Sequence, residues 1–322
     1  MIPVRILGTA SALPGRAVTT VELSQALGRE PAAMERRTGI RTRHWAEPGT
    51  RVADLGAQVL RQALEAAGLA PRELRRILFV SSYGGEILIP ATANRVAAAL
   101  GLAGTCDGMD LSNACMGFLS AFDVAARCVA TGLGPVGIVT VELGSRIVDE
   151  SDARPYLVFG DAAAAAVLGP ARAGEGLLGS VLANDGTQPP DTVLEHPVFS
   201  GKPERVRFHV SRQEILDIAM RALSTATNTV LDRAGAKLSD IEWVLPHQPN
   251  GAMLRTITEG LGVAPERIVP VVEETGSVGA ASIPFSLDRL LRTRPVRPGE
   301  RILMVGVGAG VSHGALLYQV GG

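Results

Sequence analysis

Two stretches of this chain read like copies of one another. Ala67-Gly68-Leu69-Ala70-Pro71-Arg72-Glu73-Leu74-Arg75-Arg76-Ile77-Leu78 parallels Ala234-Gly235-Ala236-Lys237-Leu238-Ser239-Asp240-Ile241-Glu242-Trp243-Val244-Leu245. Each follows a long helical stretch and leads into a strand. Farther on, Ala98 to Leu102 parallels Thr258 to Val263 in a Leu-Gly-aliphatic ending, and Cys115-Met116-Gly117 parallels Ser277-Val278-Gly279. The offset stays near about 160–170 residues, as a duplicated unit demands. The reading is two fused halves, 1–170 and 171–322, with Ser277 as the pseudo-symmetric mate of Cys115. Two helix N-termini then meet near one pocket.

Within each half, apolar runs alternate with helical periodicity. Strands are expected at Met1 to Gly8, Ile77 to Val80, Gly108 to Leu111, Gly137 to Val141, Ala162 to Leu168, Gly179 to Ala183, Val244 to Leu245, Ile302 to Val305 and Ala315 to Val320. Helices are expected over Val52 to Ala67, Met116 to about Thr131, and about Arg212 to Ala234. Such alternation means an α/β protein with buried sheets between helical layers. Gly169 to Gly176 and Gln188 to Pro203, rich in Pro and Gly, read as connections.

Composition excludes several classes. A net charge of −1 provides no field for nucleic acid or an anionic membrane. Three cysteines without regular spacing make neither a disulfide framework nor a zinc site, so a reducing cytoplasm is the expected compartment. The N-terminus lacks a basic leader and apolar core, so no signal peptide is expected. No window reaches the ~18 uninterrupted apolar residues of a membrane span. Metal and redox cofactors are not called for.

Three places carry chemistry. Cys115 stands between a strand-like approach and the helical stretch from Met116. Unpaired N–H groups and the positive end of the helix dipole favour a thiolate there, and a thiolate can take an acyl group from a thioester. Taken singly, a cysteine is more often a small buried hydrophobe, which is the reading for Cys106 and Cys128. His247 ends a strand and opens the polar loop Gln248-Pro249-Asn250, at a strand end where α/β sheets place ligands. His44, His196 and His209 read as surface residues; His313 lies in the third place, Gly306-Val307-Gly308-Ala309-Gly310-Val311-Ser312-His313-Gly314. A dinucleotide fingerprint needs a following helix and an acidic residue about 20 positions on, which this run lacks. A glycine-rich turn can instead offer N–H groups to an oxyanion.

Several ordered motifs together resemble the β-ketoacyl-acyl-carrier-protein synthase III group of thiolase-fold enzymes, over essentially the whole length. They are Arg37-Thr38-Gly39-Ile40, Asn113-Ala114-Cys115-Met116-Gly117-Phe118, Phe159-Gly160-Asp161-Ala162-Ala163, Pro246-His247-Gln248-Pro249-Asn250, Gly279-Ala280-Ala281-Ser282-Ile283-Pro284 and the terminal glycine turn. The resemblance implies a thiolase fold, two similar halves layered αβαβα, and a homodimer. It implies Cys115 as acyl-accepting nucleophile, His247 as second catalytic residue, and the backbone N–H groups of Cys115 and Ala309 as oxyanion hole. Phe159 and Ile89 would shape the acyl pocket, Ile89 from the partner subunit, and Glu86 is a candidate base delivered in trans. Arg37 and Arg255 are candidates for docking an acidic carrier protein or coenzyme A.

Two departures matter. Condensing members of the family carry asparagine where this chain has Ser277, and His and Asn there stabilise the enolate formed as carbon dioxide leaves. Losing one such donor costs about 3–4 kcal/mol. Ala33 stands where coenzyme A-dependent members often have tryptophan, and Trp45 is out of register, which tilts the donor towards a carrier protein. The expected activity is therefore acyl transfer from a carrier or coenzyme A thioester, through Cys115, to a small hydroxyl or amine acceptor. Ser277 would orient His247 or act only as a helix cap. Carbon–carbon condensation in fatty acid or polyketide synthesis, and a non-catalytic partner subunit, are the alternatives.

Overall fold

In a computed structural model of the chain, residues 1–102, 104–187, 192–203, 205–209 and 211–321 are described. Part of the expected connection Gln188 to Pro203, residues 188–191, lies outside them. Two sheets carry the fold. The first runs in the order Arg5–Ala12, Asp161–Gly169, Val136–Leu143, Arg76–Val80, Asp107–Leu111. The second runs Gly176–Asn184, Ser312–Gln319, Arg301–Gly308, Trp243–Pro246. The two orders match element for element. The outermost strand of the first sheet, Asp107–Leu111, has as its counterpart a single parallel bridge between Val244 and Ile268. The parallel neighbours (Arg76–Val80 with Val136–Leu143; Trp243–Pro246 with Arg301–Gly308) sit at the same place in each half.

Strand parity builds the layers. On strand Arg76–Val80, Leu78 and Val80 face a central core, while Ile77 and Phe79 face an outer one. On strand Arg301–Gly308, Ile302 and Met304 face that same central core, while Leu303 and Val305 face the opposite outer one. Helices Gly117–Ala130 and Ser282–Thr293 fill the centre. Val52–Ala67 and Thr92–Ala99 cover the first sheet, and Arg212–Ala234 and Gly251–Gly260 the second. Both sheets are thus covered on both faces, giving the expected αβαβα stack. The runs are apolar without alternation because both faces are buried.

Three expectations are corrected. The first strand begins at Arg5, not Met1. The glycine-rich run is mostly strand: Gly306 and Gly308 end Arg301–Gly308, and Ser312 already opens the returning strand, so only residues 309–311 turn. The register of the repeat also moves at the central helices. Asn113 and Val278 share one conformation (φ −151°, ψ 47°; φ −116°, ψ 34°). Ala114 and Gly279 follow in the left-handed region, at φ 42° and φ 48°. Each turn then closes through the same bond, Met116 N–H to Asn113 O and Ala281 N–H to Val278 O, both 2.9 Å. The mate of Cys115 is therefore Ala280, and Ser277 corresponds to Ser112.

Candidate active site

The Cys115 turn exists because Ala114 accepts a left-handed φ, which costs an L-residue about 1–2 kcal/mol. The turn places half-buried Cys115 on the cavity wall, in the 3₁₀ segment Ala114–Met116 and two residues before helix Gly117–Ala130. Asn113 Nδ2 donates to Ser120 Oγ at 2.9 Å and ties the turn to the helix it precedes. Gly117 must be small: a Cβ there would stand 2.5 Å from Val80 Cγ1 and 3.6 Å from Ala280 Cβ. The two helix N-termini thus meet, as the duplication requires. On the other side, a Cβ on Gly308 would stand 3.1 Å from the Cys115 nitrogen and 3.3 Å from that of Met116. A side chain there would crowd the N–H of Cys115, and Ala309 follows on the cavity wall.

His247 ends strand Trp243–Pro246, and its N–H donates to Val305 O at 2.9 Å. Its neighbours explain the motif around it. Gln248, 1% exposed, bonds in every direction: Nε2 to Val269 O and Ser286 Oγ, and Oε1 from the N–H groups of Val271 and Val272. Its own N–H donates to Ser282 Oγ. Asn250 Oδ1 accepts from Met253 N–H and caps helix Gly251–Gly260. The imidazole itself is 4% exposed, and its buried Nδ1 has no hydrogen-bond partner. Burial alone pushes its pKa down to about 4, so it is neutral at physiological pH and able to accept a proton.

Ser277 is held by its backbone. Its N–H donates to Val158 O at 2.8 Å and its carbonyl accepts from Gly160 N–H at 3.0 Å, which places it beside Phe159. Gly160 and Gly276 are both pressed against the Cβ of Arg43, whose fully buried guanidinium donates to Val18 O and Leu157 O. Burial brings that guanidinium down to about 10. No hydrogen bond joins Ser277 to His247 among the described residues, so the orienting bond expected between them is not formed.

These residues share one cavity of ≈ 500 Å³, lined by Cys115, His247, Ser277, Phe159, Ala309 and Arg37 among others. Apolar side chains predominate along it (Met34, Leu157, Ile215, Ile218, Met253), with cations Arg29 and Arg154 beside Arg37. Phe159 stacks on Phe208 (6.2 Å, 17°) and meets Tyr83 edge-on (6.5 Å), and the Arg154 guanidinium lies 4.3 Å over Phe208. Burial first, then the charges of Glu142 and Cys115, push the Tyr83 phenol well above its ordinary value.

Other expected residues lie elsewhere. Glu86 is outside the cavity: it accepts from Ala53 N–H at the start of helix Val52–Ala67 and pairs with Arg95 at 3.2 Å. Those contacts fix its orientation within the chain. Ile89 is 87% exposed at the tip of an apolar segment with Ile87 and Leu88. Arg255 lines a separate shallow groove with Arg36 and Arg41. Trp45 is packed against Tyr156 and bonded to Phe159 O, not at the cavity mouth. His44 is half-buried with an unpartnered Nδ1 rather than a surface group, His313 is likewise half-buried with an unpartnered Nδ1, and His196 caps the short helix Pro197–Ser200. Arg29 and Arg154 went unnoticed in the sequence, since neither stands in a motif.

One further residue was missed. Glu142, on strand Val136–Leu143, is 0% exposed. Its carboxylate accepts from Ser82 N–H (3.0 Å), Ser82 Oγ (2.6 Å), Ser81 Oγ (3.2 Å) and Ala280 N–H (3.0 Å). Burial pushes its pKa up to about 7 against those hydrogen bonds, which pull it down.

Comparison with known proteins agrees with this fold. The model for 3-oxoacyl-[acyl-carrier-protein] synthase III matches residues 109–186, and the model for its C-terminal region matches residues 231–320. The β-ketoacyl-[acyl-carrier-protein] synthase III of Symbiobacterium thermophilum is 34% identical over 99% of this chain and 98% of its own. This chain belongs to the ketoacyl synthase III family. Within that family, the crystal structure of the Pseudomonas aeruginosa PAO1 synthase III has a TM-score of 0.91 at 32% identity, covering 99% of both chains. The priming β-ketosynthase of the R1128 polyketide pathway has a TM-score of 0.89 at 30% identity, covering 99% of this chain and 96% of that one. The ketoacyl synthase III fold is therefore the fold of this chain, and the chain is an enzyme of that family, a transferase of acyl groups. Among the described residues, no helix is long and apolar enough to cross a membrane.

Proposed function

We propose that the protein is an acyltransferase that loads an acyl group from a carrier-protein or coenzyme A thioester onto Cys115 and passes it to a hydroxyl or amine. The observation that carries this reading is Ser277, beside Cys115 and His247 in one cavity, where condensing relatives are expected to hold asparagine. In the first half-reaction the Cys115 thiolate attacks the thioester carbonyl, a new C–S bond forms, and the donor thiolate leaves. The developing oxyanion lies before the N–H groups of Cys115 and Ala309. In the second, neutral His247 takes the proton of the incoming hydroxyl or amine as that group attacks, and Cys115 leaves as thiolate. Ser277, in the same cavity as His247, meets the incoming group in the second step, and neither step needs the second side-chain donor that stabilises a malonyl-derived enolate. A serine hydroxyl reaches less far than an asparagine amide, so decarboxylation loses that donor.

Residues 1–170 and 171–322 form the two halves in this reading, with Cys115 in the first and His247 and Ser277 in the second. A homodimer is proposed through the open edge of strand Asp107–Leu111, where Met109 is exposed, next to the exposed Ile87, Leu88 and Ile89. Ile89 would then enter the partner's acyl pocket. Arg37, with Arg29 and Arg154 at the same cavity, is proposed to meet the phosphate-bearing arm of the donor, and Arg255 the carrier surface.

Condensation is the second reading, favoured by the 34% identity to a β-ketoacyl synthase III over 99% of the chain. Intact-protein mass spectrometry with acyl and malonyl thioesters, on coenzyme A and on carrier protein, separates the two. Transfer predicts a stable acyl adduct on Cys115 and malonyl thioester that keeps its carboxylate. Rapid carbon dioxide loss with a β-ketoacyl product would establish condensation instead.

A further inference from the structure

Glu142 lies outside the cavity, yet its carboxylate sits on the N–H of Ala280, the structural mate of Cys115. In this half of the molecule the N–H position is filled from within, by a carboxylate. The same carboxylate holds both serines at the end of strand Arg76–Val80, just before Tyr83, which approaches Phe159 edge-on. Gly279 is pressed against it as well: a Cβ there would stand 3.0 Å from Glu142 Oε1 and 3.3 Å from Ser82 Oγ. Ser277 is two residues before Gly279 on the same turn. Its side chain makes no hydrogen bond among the described residues, so its place is set by the backbone anchors at Val158 and Gly160 on one side and by this carboxylate on the other.

We propose that Glu142 is a positioning residue for the second half-reaction: by clamping Ala280 to Ser81 and Ser82 it fixes the turn that aims Ser277 into the cavity beside His247. The proposal rests on the reading that Ser277 acts in that half-reaction. Cys115 is carried by a different turn, so loading should be spared. A displacement of about 1 Å at a reacting group can cost about 100-fold, so a 10- to 100-fold slowing is expected of the second step alone.

4-Nitrophenyl acetate reads both steps in one trace. Cys115 attacks the ester carbonyl, the C–S bond forms as nitrophenolate leaves in a burst, and water then cleaves that C–S bond to give acetate in the steady state. In Glu142→Gln, of nearly equal volume, the burst rate should stay within about twofold and the steady phase should slow about 10- to 100-fold. Ser82→Ala, which removes only the 2.6 Å bond, should give a smaller slowing of the same phase and serves if the first variant does not fold. The deciding measurement is the double variant Glu142→Gln with Ser277→Ala. If Glu142 acts through Ser277, the double variant is no slower than Ser277→Ala alone. Multiplying effects, or a slowed burst, would overturn the proposal while leaving Ser277 in its role. An inert Ser277→Ala would overturn both the proposal and the reading beneath it.

Discussion

The turns Asn113–Gly117 and Val278–Ser282 have one backbone plan and different surroundings. Both pass through a left-handed residue, close with a 2.9 Å bond, and start a central helix. At Ala280 the N–H is taken by the buried carboxylate of Glu142. At Cys115 the facing position is Gly308, where a Cβ would stand 3.1 Å from the Cys115 nitrogen. The duplicated architecture supplies two like helix starts, and on the proposed reading what separates the catalytic one from the structural one is the residue placed opposite.

That contrast is tested first at its reactive atom. Cys115→Ala should lose acyl-enzyme formation and about 10⁴-fold or more in turnover, read by intact mass and steady-state kinetics. Ala280→Cys should acquire no acyl group, because its N–H is occupied and the residue is buried. Acylation of the thiol introduced at that position would break the comparison.

Gly308→Ala should cost about 100- to 1000-fold in the rate of Cys115 acylation, as loss of an oxyanion donor does, with little change in melting temperature. A native acylation rate would show that the space before Cys115 N–H is not used.

Acid sharpens the account of His247. Its folded pKa of about 4 lies below the 6.5 of an exposed imidazole, so between those values the unfolded chain takes up a proton that the folded chain refuses. The stability this gives is present above pH 6.5 and is lost as pH falls towards 4, by about 3 kcal/mol. Transfer from the loaded enzyme should accordingly hold its rate from pH 7 to about 5, and His247→Asn should flatten the acid limb of stability in denaturant titrations.

The left-handed residues give the smallest effects, of opposite sign. Ala114→Gly should stabilise the fold by up to about 1 kcal/mol by relieving its positive φ. Gly279→Ala should destabilise it by about 2 kcal/mol, since its Cβ meets the Glu142 carboxylate as well. Shifts in urea midpoint check both.

Much of the fold was legible because the strands are apolar on both faces and the helices carry clear periodicity: Val52–Ala67 and Arg212–Ala234 fall where the pattern put them. The short two-stranded ribbon Arg16–Thr19 with Thr42–Trp45 was not, because its residues are mixed in polarity and two helices separate its strands. Similar residues at Cys115 and Ser277 pulled the repeat alignment three positions out of register; only dihedral angles reveal that Ala114 matches Gly279. Glu142 escaped for a related reason. An acid after an apolar run reads as the end of a strand, whereas here the strand continues buried to Leu143 and the acid finds its donors in segments remote in sequence.

The most direct test of the central claim is the rate of β-ketoacyl formation from an acyl-loaded enzyme and a malonyl thioester, wild type against Ser277→Asn. A gain of about 100- to 1000-fold is predicted, the value of one restored donor. Efficient condensation by the wild type, with no gain from asparagine, would contradict the account and make the protein a carbon–carbon condensing enzyme.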